Sequence, residues 1–380
     1  MREPARILIF QNRFLVGGQE RQALLNVLTM DRTRFLPVVA CLHLEGEHLD
    51  DLRAAGVQPV VFDIGRKMLR PRVALQVARL ARFLRAERIA LVHAQDIYTN
   101  ALGLLAARAA GIPAVATRVD LGHHVVGYRR PLTRAVCRAA DRVLVNALCI
   151  RELVVREGVE PDRVAVVRNG IDLAAQDRAA EAEPSPPLTP GRWIACVANM
   201  HHPVKGQTDL LLAFRELLRS RPEARLALVG DGVRRPLLEQ LAGELGIAAR
   251  VAFLGCRTDV PAVLARAALA VSPSHAEGLS NAILEAMGRR LPVVATAVGG
   301  TPELVRDGAN GCLVPPGSPA ALARRMVEVL SSPARARRMG ERGRRIVERE
   351  FDLAQMRLGY DALYDELLDY RVPRLAYGIG

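Results

Sequence analysis

The sequence predicts an α/β protein that consists of two doubly wound, Rossmann-like domains. Short β-branched runs recur along the whole chain and alternate with amphipathic helical stretches. A chain of 380 residues is about twice the usual domain size, which suggests two cores. Strands that alternate with helices form parallel βαβ units, whose sheets are covered by helices on both faces.

The order of these runs predicts the domain boundaries. The strand candidates are ARILIF, LPVVACL, QPVVF, IALVHA, PAVAT, RVLVNA and RVAVVRN in the first half, and WIACVAN, RLALVG, RVAFLG, LAVSP and PVVAT in the second. Residues 177–192 are rich in Pro, Ala and acid, lack a hydrophobic period and read as a linker. Beyond Pro319 the pattern is helical and charged. We therefore expect a first domain over 1–176, completed by a crossover helix at about 352–372, and a second domain over 190–351.

Composition restricts the classes of partner. The formal charge of +13 favours anionic ligands, but an aromatic content of 4% and the lack of a zinc-finger or RNP-like signature argue against nucleic acid. Six dispersed cysteines predict neither a disulfide scaffold nor a zinc site. Because no apolar run reaches the roughly 18 residues of a membrane span and the N-terminus does not resemble a secretory signal, we expect a cytoplasmic protein.

Two glycine-containing loops follow predicted strands, at the strand ends where open α/β sheets bind ligands. Gly17 and Gly18 lie directly before a helix in QNRFLVGGQE, and Lys205 precedes Gly206 in ANMHHPVKGQTD. Glycine lets the backbone approach a phosphate or sugar closely, and lysine is a point charge suited to a diphosphate. The alternative for the first loop is a plain tight turn. Neither loop has the G-x-G-x-x-G fingerprint of a nicotinamide dehydrogenase or the pattern of a P-loop.

The segment SPSHAEGLSNAILEAMGRRLPVVAT, residues 272–296, carries two carboxylates, Glu277 and Glu285. LAVSPS predicts a strand and turn, and Ser280 or Asn281 is a suitable N-cap for the helix NAILEAMG. Glu277 then lies ahead of the helix, and Glu285 lies just over one turn inside it. The N–H groups of the first turn form an anion cradle between the two carboxylates, each of which can accept hydrogen bonds from hydroxyls.

The stretch EGLSNAILEAMGRRLPVVATAVGGTPELVRDGANGCLVPP resembles the signature of the retaining GT-B glycosyltransferases known as family 4, including its E-x7-E spacing. The resemblance covers most of the chain, because GGQE, VRNGID, VKG, LVGDG, FLGCRTDV and the last helix follow in the family's order. It implies two Rossmann-like domains that face each other across a cleft. The first would bind the acceptor and the second a nucleoside diphosphate sugar, which serves as co-substrate with no further cofactor.

The resemblance also implies roles for single residues. Glu285 would bind the ribose hydroxyls and Glu277 the hydroxyls of the donor sugar, while Lys205 would neutralise the leaving diphosphate. The other residues implied in donor binding are Gly17 and Gly18 at the phosphate, Leu279 and Ser280 through their backbone N–H groups, and Cys256 and Arg257 in the loop along the base.

This chain departs from the family pattern at two places. Asn199 stands where an arginine commonly serves as a second phosphate ligand. The loop TRVDLGHH, which follows the strand PAVAT, stands where the family shows a single histidine. Here Asp120 and His123 are the candidate catalytic residues, with His124 as the alternative imidazole, and Arg118 would hold Asp120 or a phosphate. Gln95 and Asp96, after another strand, would face the acceptor.

The resemblance implies a mechanism in which the diphosphate leaves as the acceptor hydroxyl enters on the same face. The chain has no D-x-D triplet, so helix dipoles and Lys205 would replace a metal clamp. The expected acceptor is a glycan or lipid-linked precursor of polysaccharide biosynthesis. The alternatives are a nucleotide-sugar epimerase on the same fold and a non-catalytic basic binding protein.

A basic amphipathic stretch would also suit an anionic membrane surface, with the protein peripheral on its inner face. The stretch GRKMLRPRVALQVARLARFLRAER combines arginines with apolar residues at helical spacing: Arg72, Arg79, Arg82 and Arg85 with Val73, Leu75, Leu80, Phe83 and Leu84. GYRRPLTRAVCRAADR adds a second basic face in the same domain. The alternative is a solvated helix that covers the sheet.

Overall fold

The chain forms two compact units in the computed structural model, which describes residues 3–64, 71–122, 127–185, 187–189 and 191–368. The first unit contains the chain up to Gly170 and from Leu353 onward, and the second contains Ile171–Asp352. Both are parallel α/β structures, as the sequence predicts.

Within the described residues, the first unit contains a seven-stranded parallel sheet of order β3-β2-β1-β4-β5-β6-β7. The registers of all neighbouring pairs are parallel. The strands are β1 (Ala5–Gln11), β2 (Phe35–Cys41), β3 (Val60–Val61), β4 (Ile89–Ala94), β5 (Ala114–Thr117), β6 (Arg142–Val145) and β7 (Val164–Val166). Each of them matches a run that the sequence marks as a strand, and only β1 and β2 extend beyond it, by one residue each.

The described part of the second unit contains a six-stranded parallel sheet of order β10-β9-β8-β11-β12-β13. The strands are β8 (Arg192–Val197), β9 (Ala224–Val229), β10 (Val251–Gly255), β11 (Ala267–Ser272), β12 (Val293–Thr296) and β13 (Gly311–Val314). The last of these is not among the strands predicted from sequence.

Helices connect the strands throughout. In the first unit they are α1 (Gly18–Thr29), α2 (His48–Ala54), α3 (Pro71–Ala86), α4 (Ile97–Ala110), α5 (Arg129–Ala139) and α6 (Leu148–Arg156). In the second they are α7 (Leu173–Ala180), α8 (Gln207–Leu218), α9 (Arg235–Glu244), α10 (Val260–Ala265), α11 (Asn281–Gly288), α12 (Thr301–Leu304), α13 (Pro319–Ser331) and α14 (Pro333–Glu350). The last described helix, α15 (Leu353–Leu367), belongs to the first unit. No helix of the described residues is long and apolar enough to span a bilayer.

The first sheet is covered on both faces, as its continuous apolar strands require. Along β1 the side chains alternate, so that Ile7 and Ile9 pack with α1, α2 and α15. Leu8 and Phe10 pack on the opposite face with α3, α4 and α5.

The boundary between the units lies earlier than the sequence suggests, at Gly170/Ile171, because α7 belongs to the second unit. The side chain of Asp172 caps α7 by accepting from the N–H of Ala175 at 2.8 Å. Leu173 is buried, and Asp177 accepts two hydrogen bonds from Arg344 on α14, at 3.0 and 2.8 Å. The predicted first domain (1–176) and linker (177–192) are therefore incorrect at this end: part of each is a packed helix.

A buried polar network attaches α15 to the first unit. The hydroxyl of Tyr364 lies 2.8 Å from Nδ1 of His93 and accepts from the amide of Asn26 at 2.8 Å. Arg357 holds the amide oxygen of Asn26 at 3.0 Å. The other ring nitrogen of His93, Nε2, lies 2.9 Å from Oγ1 of Thr117, so both ring nitrogens have a hydrogen-bond partner. Burial, with a smaller contribution from Arg357, lowers the pKa of His93 from 6.5 to about 3.

We predict that His93 makes the first unit sensitive to mild acid. The folded pKa lies below the unfolded pKa, so between pH 6.5 and about 3 only the unfolded chain binds this proton. Neutral His93 therefore makes its full contribution to the free energy of unfolding above pH 6.5. Below that pH the free energy of unfolding falls by about 1.4 kcal/mol per pH unit, which amounts to about 2 kcal/mol at pH 5. Hydrogen exchange of the β4 segment at pH 7.5 and 5, each corrected for the intrinsic exchange rate, measures the loss. In the His93→Gln variant, the drop in stability between pH 7.5 and 5 should be smaller by about 2 kcal/mol. An equal drop in both proteins would contradict the role of His93 as the acid-sensitive group.

Candidate active site

Most of the site residues predicted for the second unit lie beyond the carboxyl ends of its strands. Because all pairs in this sheet are parallel, these ends meet at one edge. Asn199 follows β8, Cys256 and Arg257 follow β10, and Glu277 follows β11. Strands β8 and β11 are neighbours, so their loops lie side by side.

The first contact between these two loops is an ion pair. Nζ of Lys205 donates to Oε1 of Glu277 at 2.7 Å. The side chains expose 24% and 12% of their surface, so solvent screens this pair less than an exposed one. The hydroxyl of Ser274 donates to the same Oε1, also at 2.7 Å, and neither donor is bound to Oε2.

The backbones of the two loops are also joined. The N–H of His275 donates to the carbonyl of Val204 at 2.7 Å. The His275 ring lies with Nε2 2.8 Å from Oδ2 of Asp209, in the first turn of α8. Gly206 has a φ of +68°, and a Cβ there would lie 2.0 Å from the carbonyl oxygen of Pro273. Glycine is thus required both by backbone conformation and by close approach.

Helix α11 begins where the sequence predicts it. Ser280 is the N-cap, and its hydroxyl accepts from the N–H of Ile283 at 3.4 Å. Glu285 lies within the helix and is 8% exposed. Leu279 and Ser280, predicted to bind phosphate through their N–H groups, are buried at the helix start. Glu277 and Glu285 therefore flank a helix N-terminus, as the sequence reading expects.

The remaining residues predicted for donor binding differ in their surroundings. Asn199 is exposed, and its side-chain oxygen accepts from the N–H of His201 at 3.4 Å. Cys256 is exposed. The guanidinium of Arg257 is bound to Asp259, with Nε 2.7 Å from Oδ1. Its charge is thus already paired, so a role along a base would fall to the backbone or the stem of this side chain.

In the first unit, Gly17 is the N-cap of α1 and has an extended backbone, with φ −152° and ψ 161°. Any residue can adopt this conformation. A Cβ at Gly17 would meet the carboxylate end of Glu20 at 2.2 Å, an atom that a flexible side chain can move away. Neither a left-handed turn nor a backbone contact explains this glycine. Gly17 instead occupies an N-cap position, where glycine is among the favoured residues, so its phosphate role stays a prediction.

Two carboxyl groups at the same edge of the first sheet carry raised pKa values. Burial raises the pKa of Glu20, and the charge of Asp96 raises it further. Burial also raises the pKa of Asp96, which caps α4 by accepting from the N–H of Tyr98 at 2.9 Å. Nε2 of Gln19 donates to the backbone carbonyl of Gln95. Sequence reasoning missed Glu20, although it is part of the GGQE motif.

The predicted catalytic loop is described only in part. Asp120 exposes 54% of its side chain, and its Oδ1 accepts from the N–H of Gly122 at 2.6 Å. Nε of the buried Arg118 donates to the backbone carbonyl of Asp120 at 3.0 Å and lies 3.7 Å from its Oδ1. Arg118 thus holds Asp120, as proposed from sequence. His123 and His124 lie outside the described residues. No group of three or more His, Cys, Asp or Glu in the described ranges is placed to hold a metal ion.

Comparison with known proteins agrees with both units. The model described as Glycosyltransferase Family 4 matches residues 16–175, and the model described as Glycosyl transferases group 1 matches residues 191–332. Together they span most of the chain. HepE from Anabaena, solved in complex with UDP-glucose, superposes with a TM-score of 0.84 at 23% identity, over 95% of this chain and 100% of that one.

Curated relatives match over a shorter stretch. The D-inositol 3-phosphate glycosyltransferase of Streptomyces scabiei is 33% identical over 277 residues, which are 66% of this chain and 62% of the relative. The enzyme of the same name from Streptomyces bingchenggensis is 34% identical over 269 residues, 67% of this chain and 56% of the relative. The chain thus spans about three fifths of the length of these relatives.

These findings define the class as the two-domain α/β fold of the GT-B glycosyltransferases. The two family matches, which lie in the order expected along the chain, define the group within that class. The chain belongs to the family 4 glycosyltransferases, also called glycosyl transferases group 1.

We predict that Gly206→Ala disturbs the joined loops and that Gly246→Ala does not. Both glycines have nearly the same backbone angle, with φ +68° and +69°, but a Cβ at Gly246 would meet no atom within 4 Å. The control therefore measures backbone strain alone, about 1 kcal/mol, and Gly206→Ala should cost about 1–3 kcal/mol more. Urea unfolding of both variants gives the difference, and equal losses would show that the contact with Pro273 does not constrain the loop.

Proposed function

We propose that this protein transfers a sugar from a nucleoside diphosphate sugar to a hydroxyl acceptor, with retention of the anomeric configuration and without a metal clamp. The observation that carries the proposal is the Lys205–Glu277 ion pair ahead of helix α11, together with the buried Glu285 one turn inside that helix. A cation suits the diphosphate, and the two carboxylates suit hydroxyls of the sugar and the ribose. UDP or GDP is the proposed nucleotide.

The ion pair indicates how the site would change when the donor binds. Without a donor, Glu277 balances the charge of Lys205. A diphosphate brings more negative charge than one carboxylate and would draw Lys205 to itself. Glu277 would then be available to the hydroxyls of the donor sugar. Binding would thereby place a cation at the leaving group, where negative charge grows as the sugar is transferred.

The proposed acceptor side is the first unit. Its carboxyl edge carries Glu20, Asp96 and the Arg118-supported Asp120, polar groups suited to a hydroxyl-rich molecule. In this proposal Asp120 orients the acceptor or accepts its proton, and His123 assists. The acceptor class is a glycan or a lipid-linked precursor.

Donor binding is tested first. A thermal-shift screen against UDP, GDP and their sugars identifies the nucleotide, since a ligand at 100 times its Kd adds about 2.7 kcal/mol of stability. Calorimetry then compares variants with that nucleotide. Glu285→Ala should raise its Kd about tenfold or more, the worth of a hydrogen bond to a charged group.

The matched control is Glu216→Ala, which removes a glutamate from the exposed surface of α8 and should leave the Kd unchanged. An unchanged Kd in Glu285→Ala would remove this residue from the nucleotide site. Product analysis with a suitable acceptor separates transfer from epimerisation, because only transfer releases the free nucleoside diphosphate.

We also propose that the face formed by α3, α4 and α5 rests on an anionic membrane. Buried Leu80 and Leu84 show that much of the apolar side of α3 covers the sheet, so insertion of that side is not part of the proposal. The outer surface instead combines exposed arginines with three exposed apolar side chains: Leu75 at 61%, Leu105 at 54% and Tyr128 at 55%. The exposed arginines include Arg82, Arg85, Arg129 and Arg130. This composition favours adsorption to anionic headgroups.

Flotation with vesicles checks this surface. The protein should float with phosphatidylcholine vesicles that contain phosphatidylglycerol and not with phosphatidylcholine alone. At about 1 kcal/mol per cation, reversing Arg82 and Arg130 to Glu should lower partitioning at least about thirtyfold. The same reversal of Arg337 and Arg342, exposed on α14 of the second unit, is the control. Equal recovery on neutral and anionic vesicles, or an equal effect of the control, would contradict the proposal.

A further inference from the structure

Two contacts beside the Lys205–Glu277 pair have no part in the donor contacts described above. The hydroxyl of Ser274 donates to Oε1 of Glu277 at 2.7 Å, and Asp209 lies 2.8 Å from the ring of His275. The first contact acts on the acidic end of the ion pair. The second joins the helix after the Lys205 turn to the loop that carries Glu277. They therefore act on opposite ends of the same interaction.

Ser274 is itself firmly placed. The residue is only 2% exposed. Its backbone carbonyl accepts a hydrogen bond from the hydroxyl of Thr296, at the end of β12. The backbone of Ser274 is held by this bond, and its hydroxyl is placed against the Glu277 carboxylate. Since it donates to Oε1, it orients the Glu277 carboxylate and leaves Oε2 as the oxygen to which neither Ser274 nor Lys205 is bound.

The hydrogen bond from Ser274 to Glu277 would matter more once a bound diphosphate has drawn Lys205 away from Glu277. In the proposed function, donor binding removes the cation from Oε1. Ser274 then remains as the donor that keeps Oε2 directed toward the sugar. Without Ser274, a carboxylate that has just lost its ion-pair partner would be free to rotate away.

The Asp209–His275 contact acts on the other end. The N–H of His275 donates to Val204, the residue before Lys205, while its ring reaches Asp209, four residues after Lys205. The two contacts hold the turn that carries Lys205 from both sides. Displacement of this turn would move the cation relative to any phosphate.

We infer that Ser274 and the Asp209–His275 pair are positioning residues with separable effects: Ser274 directs Glu277 to the donor sugar, and the pair holds Lys205 for the diphosphate. This inference rests on the proposed function. It assigns the sugar-dependent part of donor affinity to one hydroxyl and the phosphate-dependent part to one His–Asp contact.

The experiment compares the Kd of UDP with that of UDP-glucose, and of GDP with GDP-mannose, by calorimetry on the full chain. Ser274→Ala should leave the Kd of the nucleotide unchanged and raise that of the nucleotide sugar about 10- to 100-fold, as expected for one hydrogen bond to a charged group. Ser274→Thr keeps the hydroxyl and should restore most of this loss. Asp209→Asn should raise both dissociation constants by the same factor.

The outcomes separate the inference from the proposal on which it rests. If the unmodified protein binds none of the four compounds, the proposed donors are wrong and the inference is overturned with them. If it binds a nucleotide sugar but Ser274→Ala weakens the nucleotide and the nucleotide sugar equally, or neither, the role of Ser274 is overturned alone. An Asp209→Asn variant with unchanged affinities removes the role of the His–Asp pair. Thermal unfolding of each variant shows whether the second unit stays folded.

Discussion

The ion pair between Lys205 and Glu277 is the contact on which the arrangement of the second unit's loops depends. Its two ends leave neighbouring strands, and each loop is additionally fixed by its own contacts. Gly206 allows the backbone after Lys205 to lie against Pro273, and Ser274 orients the Glu277 carboxylate. Since a partly buried charge is costly without its partner, the loops keep this arrangement until another anion takes the place of Glu277. A diphosphate is such an anion, so in the proposed function phosphate binding would be coupled to the release of a carboxylate.

The strand order explains why sequence reasoning identified both residues of this pair but not the pair itself. Lys205 and Glu277 are 72 residues apart, and they meet because β8 lies next to β11. The hydrophobic runs predict that both strands exist, but they contain no information about which strands are neighbours. The resemblance gave the two side chains separate partners on a ligand. It contained nothing about what they bind when the ligand is absent.

The differences between the predicted and the observed fold have local causes. Strand β13 was missed because GCLV begins with glycine, directly follows the turn-like DGAN and shows no alternation that distinguishes it from a loop. Helix α7 was read partly as linker because its second half, DRAA, runs directly into an acidic and proline-rich stretch, and the two together show no hydrophobic period. Ser274 was missed because a serine after proline is typical of a turn, and only the fold shows that this one is buried against a carboxylate. The strands that were predicted correctly, including the short β3 and β7, lie in continuous apolar runs, which a sheet covered on both faces requires.

The two glycine loops show how a structure can separate residues that look alike in sequence. Both Gly17 and Gly206 precede a helix after a strand, and sequence alone offers the same two explanations for each. At Gly206 the explanation is internal, because the left-handed backbone and the carbonyl of Pro273 exclude a side chain. At Gly17 the backbone is extended, and only the movable end of Glu20 lies near the position of a Cβ. Gly17 is the N-cap of α1, where glycine is among the favoured residues and where the backbone is normally extended. The fold thus forbids a side chain at Gly206 but not at Gly17, and the phosphate role that the resemblance implies for Gly17 stays a prediction.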